Sequence, residues 1–298
     1  MTDIGRLITA MVTPFTPDGA VDYDAARRLA VALLDSGSDG VLVAGTTGES
    51  PTLTHDEKLR LFSEVISAAG NRGAVVAGTG TYNTAESVEF TREASNTGVD
   101  AVLAVTPYYN KPPQEGLYRH FAAIAEATAL PLIMYNIKGR TGVNMTAETA
   151  VRLSQIENIA GVKEASNDHV QIGTVIREAR PGFRVWSGAD EDNLAVLELG
   201  GYGAISVISH LVGRQLKSMF DDVLAGRREE AHRAHERLLP LIEALFLTSN
   251  PIPVKYALNQ LGFAAGGYRL PLCEPDDDTA QRIMAEVHRH KIDLPVAV

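Results

Sequence analysis

Short apolar runs alternate along the chain with longer stretches in which apolar positions recur every three or four residues. The runs Leu7–Val12, Gly40–Ala44, Ala74–Ala77, Ala101–Val105, Leu132–Tyr135, Ile159–Glu164, Arg184–Ser187 and Ala204–Val207 read as strands. Between them, Asp24–Leu34, His55–Ala69, Ala85–Thr97, Gln114–Ala127, Ala147–Ser154, His169–Glu178, Glu191–Leu199 and Leu211–Leu224 carry helical spacing. Thr54 and Thr146 stand where helix N-caps are wanted. Strands that are apolar on both faces and separated by helices predict a parallel sheet covered by helices. Eight such units in succession point to a closed (β/α)₈ barrel, with a doubly wound open sheet as the alternative. Further helices are expected over Ala231–Phe246, Pro253–Leu261 and Thr279–His290. The expected organisation is therefore a barrel over residues 1–226 and a C-terminal helical segment, packed on it, over residues 227–298.

Length and charge narrow the class. The 298 residues match one barrel of roughly 250 residues plus an extension. Twenty-seven basic against thirty-seven acidic side chains give a net charge of −10, which argues against nucleic acid or an anionic membrane as a partner. No stretch approaches the ~20 apolar residues of a membrane span. The opening MTDIGRLITA lacks the basic and apolar regions of a secretory signal. A single cysteine, Cys273, excludes an intramolecular disulfide and fits a reducing, cytoplasmic setting.

In a barrel the chemistry sits at the C-terminal ends of the strands. Six unusual segments fall there: Gly45–Thr52 (GTTGESPT), Thr106–Pro113 (TPYYNKPP), Tyr135–Gly142 (YNIKGRTG), Gly161–Ser166 (GVKEAS), Trp186–Asp192 (WSGADED) and Gly203–Val207 (GAISV). Any one of them is compatible with an ordinary turn, since Gly, Thr and Tyr are common in loops; six at corresponding places are harder to assign to turns alone.

Lys163 is the most informative residue. The other six lysines (Lys58, Lys111, Lys138, Lys217, Lys255 and Lys291) fall on helices, loops or the tail, where a solvated charge is cheap. Lys163 alone lies on a strand expected to be buried. Burial disfavours the ammonium and lowers its pKa, and a neutral amine attacks a ketone to form an imine. The competing reading is a structural salt bridge, for which Glu164 is a poor partner because adjacent strand residues face opposite sides. Position alone leaves both readings open.

Imine chemistry also needs proton transfer. Tyr135 ends the strand neighbouring that of Lys163, and Thr46 and Tyr109 are candidates for a proton relay, although each taken alone reads better as a structural hydroxyl. Arg140 lies in a loop over the same strand ends and suits a carboxylate. The eight histidines form no metal-ligand pattern, and no glycine-rich nucleotide loop opens a helix, so neither metal nor organic cofactor is expected.

From AMVTPF at Ala10–Phe15 to NPIPVKYAL at Asn250–Leu258, the motifs in this order resemble the pyruvate-dependent aldolase/lyase superfamily and, within it, the dihydrodipicolinate synthase family. The resemblance implies a (β/α)₈ barrel with a helical C-terminal segment, and a homotetramer built as a dimer of dimers. It also implies condensation of pyruvate with L-aspartate-4-semialdehyde in lysine and diaminopimelate biosynthesis. The family's Schiff-base lysine falls on Lys163 and its acid/base tyrosine on Tyr135. The relay falls on Thr46 and on Tyr109, the latter reaching in from a neighbouring subunit. Thr47 and the backbone at Ile205 would hold the pyruvate carboxylate, and Arg140 that of the aldehyde.

The chain departs from the family's pattern at several places. Ile137-Lys138-Gly139 lacks a frequent proline, and Ala189 stands where an acid is common, which bears on aldehyde specificity. Another pyruvate-dependent aldolase/lyase of the same superfamily, acting on a sugar-acid or hydroxyproline-derived aldehyde, is the alternative enzyme, and a keto-acid sensor the alternative of another class. In lysine-inhibited relatives an effector site matches His55, Glu86 and Tyr108 here, whereas Lys58 and Tyr82 replace a histidine and an asparagine. The expectation is weak or absent inhibition by lysine.

Overall fold

The computed structural model describes residues 4–295. Eight parallel strands are hydrogen-bonded in chain order and close on themselves: β1 (Leu7–Ala10), β2 (Gly40–Val43), β3 (Ala74–Gly78), β4 (Ala101–Val105), β5 (Leu132–Asn136), β6 (Ile159–Glu164), β7 (Arg184–Ser187) and β8 (Gly203–Ser206). This is the expected (β/α)₈ barrel, and the order excludes the doubly wound alternative. The helices are α1 (Tyr23–Asp35), α2 (His55–Ala69), α3 (Thr84–Ser95), α4 (Gln114–Glu126), α5 (Lys138–Thr141), α6 (Ala147–Leu153), α7 (His169–Glu178), α8 (Asn193–Glu198), α9 (Ser209–Leu224), α10 (Arg228–Leu245), α11 (Ile252–Gln260) and α12 (Asp277–Val287). None of the described helices is long and apolar enough to cross a membrane.

Local signals account for many boundaries. Thr54 and Glu57 form a reciprocal capping box at the start of α2, satisfying two backbone N–H groups that the first turn leaves open. Asp22, Thr146, Asp168 and Asp276 cap α1, α6, α7 and α12 through their side chains. The helix α5 corrects the sequence reading: Lys138–Thr141 is one helical turn rather than loop, closed by the left-handed Gly142. Four residues are too few to show a helical period.

The chain divides into two compact units. The first comprises Val76–Ile205 with the N-terminal segment through Arg6. Its strands are almost wholly buried, as expected where side chains on one face fill the barrel and those on the other meet helices. Gly161 permits the approach of β6 to β7, since a Cβ there would lie 2.0 Å from the carbonyl oxygen of Arg184. Between β5 and β6 the register shifts: Leu132 pairs with Ile159 but Ile133 with Gly161. The extra residue on β6, Ala160, is a bulge, and it sets every pairing downstream of it.

The second unit comprises Leu7–Val75 and the chain from Ser206 onward. Thr9, Ser38 and Ser209 share a buried hydroxyl cluster. His210 is fully buried, bonded to the N–H of Val12 at 3.2 Å and the carbonyl of Val207 at 2.7 Å, and burial lowers its pKa to about 4. This neutral histidine is a core residue.

A second buried lysine corrects the expectation that Lys163 is alone. Lys255, on α11, is fully buried; its Nζ donates to Glu49 Oε1 at 2.8 Å and lies 4.0 Å from the Phe15 ring centroid. Glu49 Oε2 also accepts the backbone N–H of Arg269. Helical spacing could not reveal this, because the partner acid lies more than 200 residues earlier in the chain. Removing one member of a buried ion pair strands the other charge, at a cost of about 3–5 kcal/mol. Glu49→Ala is therefore expected to lower the unfolding free energy by that amount in denaturant titrations; a loss below about 1 kcal/mol would contradict this account of the pair.

Candidate active site

Lys163 is the fifth residue of β6 and only 5% exposed. The bulge at Ala160 places it opposite Tyr135 on β5, with Trp186 opposite it on β7. Without the bulge, Tyr135 would pair with Val162 and the two side chains would not be neighbours. As it is, the Lys163 amine lies 4.4 Å from the centroid of the Tyr135 ring. The lysine stem runs past Gly188, where a Cβ would stand 2.9 Å from Lys163 Cγ and 3.0 Å from Cε. Glycine there leaves the channel the stem needs.

Burial lowers the pKa of Lys163 to about 8; Asp190 acts in the opposite direction and Arg140 reinforces the fall. At pH 7 roughly a tenth of such amines are neutral, against well under a thousandth at an ordinary lysine pKa. Glu164, next in sequence, turns to the other side of β6. Its carboxylate accepts from Asn136 Nδ2 at 2.9 Å, the Ser166 N–H at 3.0 Å and Gln171 Nε2 at 3.4 Å, and burial raises its pKa to about 7. The carboxylate next to Lys163 in sequence is thus engaged elsewhere.

Arg140 is exposed on α5, whose last residue, Thr141, has its hydroxyl within hydrogen-bonding distance of the carbonyls of Ile137 and Val143, both at 2.9 Å. Ile205 is buried on β8. Tyr109 is 91% exposed, with a left-handed backbone at φ 70°. Its neighbour Tyr108 packs edge-on against Tyr82 with ring centroids 5.2 Å apart, and Asn110 donates to the Tyr82 carbonyl. Glu86 accepts from Thr81 at 3.4 Å. In the first unit Tyr135 thus lies against the Lys163 amine, with Asp190 and Arg140 within electrostatic reach of it, and Tyr82 with Tyr108 forms a separate aromatic pair; Tyr109 is exposed.

Thr46 and Thr47 belong to the second unit, in the turn after β2. Thr46 is half-buried and Thr47 almost fully buried, and Asn250 Nδ2 donates to Thr47 Oγ1 at 2.8 Å. The turn is pinned further by Thr13 donating to the Gly48 carbonyl at 2.6 Å. His55 and Lys58 lie at the start of α2. Asp190, Gly188, Asn250 and the Glu49–Lys255 pair were not singled out from the sequence. Their signals were present in WSGADED, GTTGES and NPIPVKYAL, but no short-range rule links these segments. Among the described residues, no three His, Cys, Asp or Glu side chains are grouped so as to hold a metal ion.

Comparison with known proteins bears on this arrangement. The sequence profile of the Dihydrodipicolinate synthetase family matches residues 3–290. A 4-hydroxy-tetrahydrodipicolinate synthase of Dehalococcoides mccartyi is 57% identical over 296 residues, covering 99% of this chain and all of that protein. One from Moorella thermoacetica is 55% identical, covering 94% of this chain and 96% of its own. The DHDPS crystal structure from Cyanidioschyzon merolae, solved with lysine bound, superposes with a TM-score of 0.94 at 46% identity, covering 96% of this chain and 97% of that one. With a matching profile and such identity over nearly its whole length, the chain belongs to the dihydrodipicolinate synthetase family.

Proposed function

We propose that the protein condenses pyruvate with L-aspartate-4-semialdehyde to give 4-hydroxy-tetrahydrodipicolinate, the activity for which its relatives are named, in lysine and diaminopimelate biosynthesis. The observation that carries the reading is a buried lysine amine at the end of a barrel strand, with its pKa lowered to about 8 and a tyrosine ring against it. The neutral Lys163 amine attacks C2 of pyruvate, and the carbinolamine loses water to leave an imine. Loss of a C3 proton gives an enamine, whose C3 forms the new bond to the aldehyde carbon while the aldehyde oxygen takes up a proton. The semialdehyde's own amine then attacks the re-formed imine carbon, closing the ring as the Lys163 amine leaves. Tyr135 is the acid/base for these transfers, relayed through Thr46 and a neighbour's Tyr109.

In the same reading Thr47 and the Ile205 backbone hold the pyruvate carboxylate, and Arg140 holds that of the semialdehyde. A guanidinium offers paired donors that match a carboxylate. The exposure of Tyr109 supports its donation to another subunit, within a homotetramer arranged as a dimer of dimers. The single cysteine and acidic charge support a cytoplasmic location. Residues 1–226 act as the catalytic barrel and residues 227–298 as its helical appendage.

Lys163→Ala is expected to abolish imine formation, measured as the borohydride-trapped pyruvate adduct by mass spectrometry. Lys163→Arg should be equally inactive, because a guanidinium stays protonated. In the unaltered protein the rate of imine formation should rise with pH up to about 8 and level off above it, since deprotonation supplies the nucleophile. A rate still climbing steeply at pH 10 would contradict a depressed lysine pKa. Arg140→Ala is expected to raise the KM for the semialdehyde about tenfold or more, the consequence of losing a hydrogen bond to a charged group. Equal effects on the two substrates would remove Arg140 from aldehyde recognition. Mixing Tyr109→Phe with Lys163→Ala subunits should restore activity lost in each alone; no recovery despite demonstrated subunit exchange would rule out a shared relay.

A further inference from the structure

Thr47 is buried, and its hydroxyl oxygen accepts a hydrogen bond from Asn250 Nδ2 at 2.8 Å. A hydroxyl has one proton and two acceptor positions, whereas an amide NH₂ can only donate. A hydroxyl that accepts from Asn250 must therefore direct its own proton elsewhere. A carboxylate is acceptor-only, so it can use Thr47 only if that proton points toward it.

Asn250 is itself held in place relative to this turn. It lies just before α11, whose Lys255 ends in the buried bond to Glu49, two residues beyond Thr47. Thr13 fixes the intervening Gly48 carbonyl, and the N–H groups of Gly48 and Ser50 both close onto the Gly45 carbonyl. The turn and the start of α11 are thus tied at two points, one neutral and directional, the other ionic. The ionic tie fixes where the turn lies, and the neutral tie fixes how one hydroxyl is oriented.

We propose that Asn250 is a positioning residue for pyruvate binding: it occupies the acceptor side of the Thr47 hydroxyl and so commits that hydroxyl to donate to the substrate carboxylate. The proposal rests on the functional reading above, in which Thr47 meets that carboxylate. It explains why an amide stands at this position. A carboxylate of the same shape would accept the threonine proton and present pyruvate with lone pairs facing its own negative charge.

The test compares Asn250→Asp and Asn250→Ala with the unaltered protein by steady-state kinetics and by borohydride trapping over a range of pyruvate concentrations. Asn250→Asp is expected to raise the pyruvate KM, and the pyruvate concentration for half-maximal trapping, by about tenfold or more. The KM for the semialdehyde and the rate at saturating pyruvate should change little. Asn250→Ala leaves the hydroxyl free to turn and should give a smaller rise in the same two quantities. In a Thr47→Val background the Asp substitution should have no further effect on pyruvate, because the oriented hydroxyl is gone; a merely structural role would leave its effect intact.

Three results would overturn the proposal: an unchanged pyruvate KM in Asn250→Asp, equal effects on both substrates, or an undiminished effect in the Thr47→Val background. Failure of both Asn250 variants to fold would also overturn it, by showing that the side chain acts on stability. If the unaltered protein traps no pyruvate on Lys163, the functional reading fails instead, so the two failures are told apart by the control.

Discussion

A lysine side chain that ends away from water costs free energy as an ammonium, and the site depends on that cost being left largely uncompensated. Lys163 has an acid within electrostatic reach, Asp190, but burial outweighs it and Arg140 adds to the fall, so the pKa settles near 8. Lys255 provides the contrast within the same chain. It is equally buried and also lowered to about 8, yet Glu49 holds a direct hydrogen bond to its amine. Both amines lie against an aromatic ring, but that of Lys255 also has a carboxylate at contact distance. Under the proposed function, this difference in partner, rather than in burial, is what distinguishes the structural lysine from the nucleophile.

The same economy of contacts governs the rest of the site. Glu164 is kept from Lys163 by strand alternation, and amide and backbone donors occupy its carboxylate. A carboxylate free to reach the amine would stabilise the ammonium and raise its pKa. Gly188 serves the opposite end of the problem. The stem of Lys163 fills the space a Cβ would take, so burial is achieved without displacing the strand.

The second unit shows how a flexible motif is made rigid. GTTGES has little intrinsic preference for one conformation, and Glu49 has a left-handed backbone at φ 54°. That conformation is uncommon for a residue with a side chain and is held here by what surrounds it. The Lys255 bond, the Arg269 backbone donor and the Thr13 bond to the Gly48 carbonyl are all long-range in sequence. The turn that carries Thr46 and Thr47 thus draws its stiffness from distant segments of the chain, α11 among them.

The sequence by itself determined the eight strand–helix units, the caps at Thr54 and Thr146, and the family. Periodicity, capping and motif order are local or strictly sequential properties, and they survive without knowledge of what packs on what. It also singled out Lys163, because a lysine in an apolar strand conflicts with its surroundings whatever its neighbours are. Only the tertiary structure decided that Tyr135 stands opposite Lys163. That pairing depends on one extra residue in β6, and a register slip of one residue leaves the apolar pattern of a doubly buried strand unchanged. Only the fold, too, could separate Lys255 from the solvated lysines or give Asn250 a partner. Their contacts join segments some two hundred residues apart, where the chain carries no periodic signal and the energy of the contact exists only after folding.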